Sequence, residues 1–431
     1  MNHPMHPYYS QKFNSLTIIF IIGLFFFSGC SSVQKALKNQ LEDSSLENSF
    51  HGLVVVDAKT QKIVVDYNGN RYFTPASNTK IATFYSGTKL LPHTIPTLKY
   101  ASQNETLFIE GTGDPSWLHP RLADSTAIQW LKEQGTIALY TENSEESRFG
   151  PGWAWEDYDS YFSPEKSTIP LYGNVVTINQ GEELSVIPNY FAAVVEVKDT
   201  TLKRDELVNQ FYSSPEKIDT LEVPYITSDA LTQKLLENIL GTSVELAEHF
   251  PSVEKKTLYG METDSIFKDM LFESDNFLAE QLLMVASSTL SDTLSTQKTI
   301  AYMLENHLSD LEQPPRWVDG SGLSRYNLFT PKSFVQILQK IYDEIPEERL
   351  FALMPMWDAS GTVKKWKDPS IEPFIFAKSG SLGNNYNLCG YLKTKSGKWL
   401  IFSFMNNHFK VPTAEIRNTI YTTLKALHDR Y

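Results

Sequence analysis

The two ends of this chain are built to share one sheet. Three strand-like runs close it, "FIFAKSG" (374–380), "NLCGYLKT" (387–394) and "KWLIFSFMNN" (398–407). Two more open it, because "GLVVVDAKTQKIVVDYN" (52–68) reads as β-rich segments on either side of the turn-prone "DAKTQK". The tetrapeptide "KSGK" makes a tight turn between the second and third closing strands. Helical patterns flank these runs. "DALTQKLLENIL" (229–240) is one, and helical periodicity dominates 261–308. "FTPKSFVQILQKIYDEI" (329–345) has Thr330 as its cap and Pro331 at its first position, and "TAEIRNTIYTTLKAL" (413–427) follows the last strand. The expectation is an α/β (α+β) fold with an antiparallel sheet flanked by helices, the early hairpin joining the late strands.

Between the two ends the texture changes. "LPHTIPTLKY" introduces two prolines after Leu90, and short strand-like runs then alternate with turns, among them "TLFIEGTGDPSW", "PLYGNVVTI" and "YFAAVVEV". The predicted division is a domain from 30–90 and 262–431, with a β-rich inserted domain at 91–261. A chain of 431 residues, 41% hydrophobic, can bury cores for two or three domains. Its formal charge of −13 and lack of a basic cluster argue against nucleic acid as a partner.

The first 30 residues carry a separate signal. A polar start containing Lys12 precedes the apolar run 16–27, then the small pair Ser28 and Gly29, then Cys30. A membrane-spanning helix needs about 20 apolar residues, so the run is short for a span and has the form of a secretory signal. The small-small-Cys ending is similar to a lipoprotein signal, in which residues 1–29 are removed and Cys30 is lipidated. Phe27 stands where such signals usually have Leu, and an ordinary signal or a short anchor is the alternative. A lipidated Cys30 leaves Cys389 as the only other cysteine, which excludes a disulfide in the mature chain. Cys389, in "YNLCGYL", reads as a small core residue. The nine histidines show no metal-ligand spacing.

"FTPASNTKIATFY" (73–85) sets Ser77 three residues ahead of Lys80, with an apolar run behind them. Ser77 fits a helix N-cap, its hydroxyl accepting from an unpaired N–H of the first turn. It equally fits a nucleophile, because residues three apart share one helix face and an uncharged lysine there can take the hydroxyl proton. Alone the pattern decides nothing, since Ser-x-x-Lys occurs eight times in the chain, for example at Ser86–Lys89 and Ser265–Lys268.

Order decides more. Downstream come Ser274-Asp275-Asn276 in a helical region and Lys378-Ser379-Gly380 at the start of an apolar strand. Ser-x-x-Lys, then Ser-Asp-Asn, then Lys-Ser/Thr-Gly is the three-part set of penicillin-binding proteins and class A β-lactamases. Beyond the triad, the chain resembles the low-molecular-mass class C penicillin-binding proteins, the D-alanyl-D-alanine carboxypeptidase/endopeptidase family. The stretches that carry the resemblance are "FTPASNTKIAT", "LFIEGTGDPSW", "PGWAWEDYDSYF", "ESDNFLAEQLL", "DGSGLSRYNLFTP", "MPMWDASGTVKKW" and "FAKSGSLGNNYNLCGYL". Ser379 replaces the commoner Thr and keeps the hydroxyl.

The resemblance implies a penicillin-binding-protein/β-lactamase-like transpeptidase domain that cleaves peptidoglycan stem peptides through an acyl-enzyme and is acylated by β-lactams. Ser77 would attack and Lys80 accept its proton, kept neutral by burial and the nearby cation of Lys378. Ser274 would relay the proton to the leaving nitrogen, and Asn276 would orient Lys80 and the substrate amide. Lys378, Ser379 and Ser381 around Gly380 would receive the substrate carboxylate. The N–H groups of Ser77 and Ser381 would form the oxyanion hole. No metal or organic cofactor is implied, and the location is the cell envelope, periplasmic, with the lipid on Cys30 holding a membrane. Asp319 and Ser321 read as loop-shaping, Asp114 as a turn residue, "GWAWEDY" as packing, and Asp275 as equally structural or catalytic. Two rivals stand beside this reading: a β-lactamase, for which Glu280 is a poor deacylating base, and a non-catalytic peptidoglycan-binding lipoprotein.

Overall fold

A five-stranded antiparallel sheet runs in the order Ile375–Leu382, Asn385–Lys393, Trp399–Asn407, Phe50–Asp57, Ile63–Tyr67. The first strand zips along the last, from Phe50 opposite Asn407 to Asp57 opposite Leu400. The computed structural model describes residue 35 and residues 48–181, 183–216, 220–357, 360–363 and 372–431. Residues 1–29, Cys30 and part of "MPMWDASGTVKKW" lie outside the described residues. Asp57 makes the opening hairpin turn, its Oδ1 accepting from the N–H groups of Lys59 at 3.1 Å and Thr60 at 2.8 Å.

Apolar residues lie on both faces of this sheet because both faces are covered. Val54, Val56, Cys389, Tyr391 and Ile401 join one core, and their neighbours Leu53, Val55, Leu388, Leu392 and Leu400 join the other. Successive strand side chains point to opposite faces, so the near-continuous apolar runs are what a two-sided sheet needs. The helix Thr413–Arg430 closes the second core through Ile416, Ile420, Leu424 and Leu427, a four-residue spacing with one step of three. On the first face lie Lys80–Leu90, Asn276–Ser288 and Pro331–Glu344. Thr330 caps the last of these by accepting from the Ser333 N–H at 3.0 Å. Every residue from Phe277 to Ser288 is buried, so that helix sits inside the domain and not on its surface.

Residues 91–261 form further sheets. One has the order Val244–Leu246, Thr136–Tyr140, Thr106–Gly111, Thr94–Gln103, Lys256–Glu262, and two of its pairings are parallel. Parallel neighbours need crossovers, supplied here by the helices Thr126–Lys132 and Asp229–Leu240. The β-rich stretch therefore carries helices as well. A three-stranded sheet (Leu221–Pro224, Val175–Gln180, Leu184–Ile187) and the pair Val195–Val197 with Phe211–Ser213 complete it. It has its own core around Leu98, Ile109, Trp117, Leu139, Phe211 and Leu235. Its entering and leaving strands, Thr94–Gln103 and Lys256–Glu262, run antiparallel side by side, so the chain returns beside the point where it left.

Candidate active site

The site forms where four local structures converge on Lys80. The 3-10 turn Ala76–Thr79 leads into the helix Lys80–Leu90 and leaves Ser77 half-buried above a fully buried Lys80. Ser77 is not a cap: neither end of this turn shows a side-chain cap bond, because Ser77 lies inside the turn rather than ahead of it. Its Oγ instead accepts from Lys80 Nζ at 3.0 Å.

Lys80 Nζ also donates to Asn276 Oδ1 at 2.7 Å and to the Ser321 carbonyl at 2.8 Å. An ammonium has three donors, and these three acceptors use all of them. Asn276 opens the buried helix, and its Nδ2 donates to the Phe162 carbonyl at 2.9 Å. Ser274 sits in the turn before that helix with φ at 60°, a strained value for a non-glycine residue, and not in a helix itself. Asp275 is the N-cap, accepting from the Leu278 N–H at 2.9 Å, and is paired with Arg121.

Lys378 projects from the edge strand Ile375–Leu382, where its Nζ donates to Ser274 Oγ at 2.8 Å and to the Ser379 carbonyl at 2.8 Å. Ser379 Oγ lies 2.6 Å from Thr362 Oγ1, and Ser381 is exposed at the cleft wall. Gly380 packs on the turn that holds Ser77, against Pro75 and Asn78. Ser77, Ser274, Asn276 and Ser381 thus open into one cleft of about 480 Å³, whose walls include Arg121, Phe162 and Glu222.

The "DGSGLSRYN" loop contributes more than its sequence suggests. Asp319 is buried and organises it, accepting from the N–H groups of Gly322 at 2.9 Å and Ser324 at 2.7 Å, from Asn327 Nδ2 at 2.6 Å and from Trp153 Nε1 at 3.1 Å. Glu280 accepts from the N–H groups of Gly320 at 3.1 Å and Ser321 at 2.7 Å. Together they aim the Ser321 carbonyl at Lys80. A glycine at 322 is required, since φ is 82° and a Cβ would stand 1.9 Å from the Ala76 carbonyl oxygen. Asp114 is buried away from the cleft and bonds Thr97 and the Ser116 N–H.

Burial draws the Lys80 amine down to about 8, while Asp275, Glu280 and Asp319 pull the other way. Burial, and then the charge of Lys80, hold Lys378 well below the ordinary lysine range. Burial, then Asp319, raise Glu280 to about 7.

Fold and site together define a serine peptidase with the penicillin-recognising architecture. The chain belongs to the D-Ala-D-Ala carboxypeptidase 3 (S13) family, whose model matches residues 33–199 and 231–427. Its enzyme class is therefore the serine-type D-Ala-D-Ala carboxypeptidase. It is 23% identical over 420 residues to the D-alanyl-D-alanine carboxypeptidase DacB of Haemophilus influenzae, across 84% of this chain and 86% of that protein. A second relative, the penicillin-sensitive carboxypeptidase A of Dictyostelium discoideum, is 29% identical over 128 residues, 28% of this chain and 24% of that one. The fold matches the crystal structure of penicillin binding protein 4 (dacB) from Haemophilus influenzae with a TM-score of 0.69 and 20% identity, over 90% of this chain and 98% of that one. The same protein complexed with a novel β-lactam matches with a TM-score of 0.63 and 19% identity, at the same coverage.

Proposed function

We propose that the chain is a cell-envelope DD-peptidase that cleaves the terminal D-Ala–D-Ala bond, or the corresponding cross-link, of peptidoglycan stem peptides through an acyl-enzyme on Ser77. The observation that carries this reading is the 3.0 Å contact of Ser77 Oγ with a Lys80 amine whose pKa is depressed to about 8. Residues 30–90 and 262–431 act as the catalytic domain and 91–261 as an insertion that walls the cleft.

The substrate's terminal carboxylate, received by Lys378, Ser379 and Ser381, favours ammonium on Lys378, and that cation helps keep Lys80 neutral to act as base. Ser77 Oγ then attacks the amide carbon while Lys80 takes its proton. N–H groups of Ser77 and of the edge-strand residue Ser381 receive the oxyanion. Ser274 passes its hydroxyl proton to the leaving nitrogen and takes one back from the Lys378 ammonium 2.8 Å away, while the proton from Ser77 stays on Lys80. Water later attacks the ester, its hydroxyl joining the acyl group and its other proton returning to Ser77 Oγ. A β-lactam carries the same carboxylate and amide and enters by the same steps, acting as a covalent inhibitor. Glu280 is buried, accepts from two backbone N–H groups and is not among the residues that line the cleft, which weighs against the β-lactamase reading.

Among the described residues no helix is long and apolar enough to cross a membrane. Attachment is assigned to a lipid on Cys30. The test of function is release of free D-alanine from a pentapeptide muropeptide: the wild type releases it, Ser77→Ala does not, and equal release by both would refute the reading.

A further inference from the structure

The inserted stretch grips the second motif at several points, and one of them spans the turn that holds Ser274. Arg121 Nε donates to Asp269 at 3.2 Å and 2.9 Å, and its Nη2 pairs with both Asp269 and Asp275. Asp269 lies in the last turn of the helix Thr263–Phe272, whereas Asp275 caps the helix Asn276–Ser288. One guanidinium therefore staples two helices across Glu273 and Ser274. The other grips lie beyond the turn: His119 stacks on Phe277 with ring centroids 6.3 Å apart, and Gln281 Nε2 donates to the Gly113 carbonyl at 2.7 Å.

Ser274 needs such a staple. Its φ of 60° is a conformation the turn would leave if free, and leaving it would carry Oγ away from Lys378 Nζ, now at 2.8 Å. Ser77 and Lys80 belong to a different element and would keep their contact.

We propose that Arg121 is a positioning residue for the proton-delivery step, holding Ser274 where it can protonate the leaving group. The inference rests on the role given to Ser274 above. A planar fork suits a double carboxylate bridge, and a lysine cannot replace it.

The experiment compares full-length wild type, Arg121→Met, Arg121→Lys, Asp269→Asn and Ser274→Ala on two acyl donors of the same sequence. One carries a D-Ala amide leaving group; the other is a thioester analogue whose thiolate departs without a proton. Arg121→Met should lose on the order of 10- to 100-fold in amide kcat/KM while thioester turnover stays within about threefold, since a displaced catalytic group costs rate only in the step it serves. Arg121→Lys and Asp269→Asn should show the same split, smaller, and carry the test if Arg121→Met fails to fold by circular dichroism. Equal losses on both donors, or no loss on either, overturn the inference. Ser274→Ala separates the two claims. No split in Ser274→Ala refutes its proton-carrier role, whereas a split in Ser274→Ala and none in the Arg121 and Asp269 variants refutes Arg121 alone.

Discussion

Gly380 and Asn78 are packed so closely that a Cβ on Gly380 would stand 2.4 Å from Asn78 Oδ1. Asn78 Nδ2 meanwhile donates to the Lys378 carbonyl at 2.9 Å. The amide of one residue thus clamps the edge strand to the nucleophile turn, and the missing side chain of the other lets the strand come within reach.

Gly380→Ala should therefore push the strand off the turn, withdrawing Lys378 and Ser381 together. Overpacking of this kind costs about 1–3 kcal/mol. The expected result is a lowered Tm with acylation by penicillin reduced more than tenfold, since misplacement of a site by about 1 Å can cost as much as 100-fold. Unchanged acylation would show that the clamp has no part in the site.

The two lysines separate by substitution and by pH. Acylation needs unprotonated Lys80, so its rate should fall as pH drops through the Lys80 value of about 8. Arginine keeps the charge but cannot act as a base, and a positioned base contributes about 10²- to 10⁴-fold, so Lys80→Arg should abolish acylation. Lys378→Arg should retain measurable acylation. It fixes a permanent cation beside Lys80, which disfavours the Lys80 ammonium and moves the acid limb to lower pH. Stopped-flow acylation against pH, with circular dichroism of both variants, checks this; equal rates for the two variants would contradict the roles.

Glu280→Gln keeps a carbonyl acceptor for one of the Gly320 and Ser321 N–H groups, turns an NH2 toward the other and removes the charge. Acylation should persist, with the adduct no longer lived than in the wild type. A selective collapse of deacylation would instead make Glu280 the deacylating base and favour a β-lactamase.

Cys30→Ser should move the protein from the membrane to the soluble envelope fraction. A single lipid chain binds only marginally, so stable attachment needs the several chains of a processed lipoprotein. Unchanged pelleting of the variant would exclude the lipid anchor.

Much of this could be read from sequence because the signals are local. The terminal strands announce themselves by long β-branched and aromatic runs, and Thr330 with Pro331 marks a helix start by its own chemistry. The inserted stretch is less legible: a run such as "TLFIEG" looks the same in a parallel or an antiparallel pair, and only distant partners decide. Ser77 fits a cap pattern that the 3-10 turn cancels, a difference of two residues in where the turn or the helix begins. The Ser321 carbonyl is a backbone group, present at every position, so nothing in "DGSGLSRYN" identifies it as an acceptor for Lys80. Arg121 is silent in sequence because its partners lie far along the chain, at Asp269 and Asp275. The lysine pKa shifts depend on burial and, for Lys80, on carboxylates brought in from the Asn276–Ser288 helix with its cap and from the "DGSGLSRYN" loop, which spacing alone does not reveal.

The most direct measurement is mass spectrometry of the full chain after exposure to penicillin, with the adduct mapped by proteolysis. One stable adduct should appear on Ser77 and vanish in Ser77→Ala, because Ser77 opens its half-buried hydroxyl into the cleft beside a depressed lysine amine at 3.0 Å. An adduct on another serine, or none at saturating penicillin in a folded protein, would contradict the account at its centre.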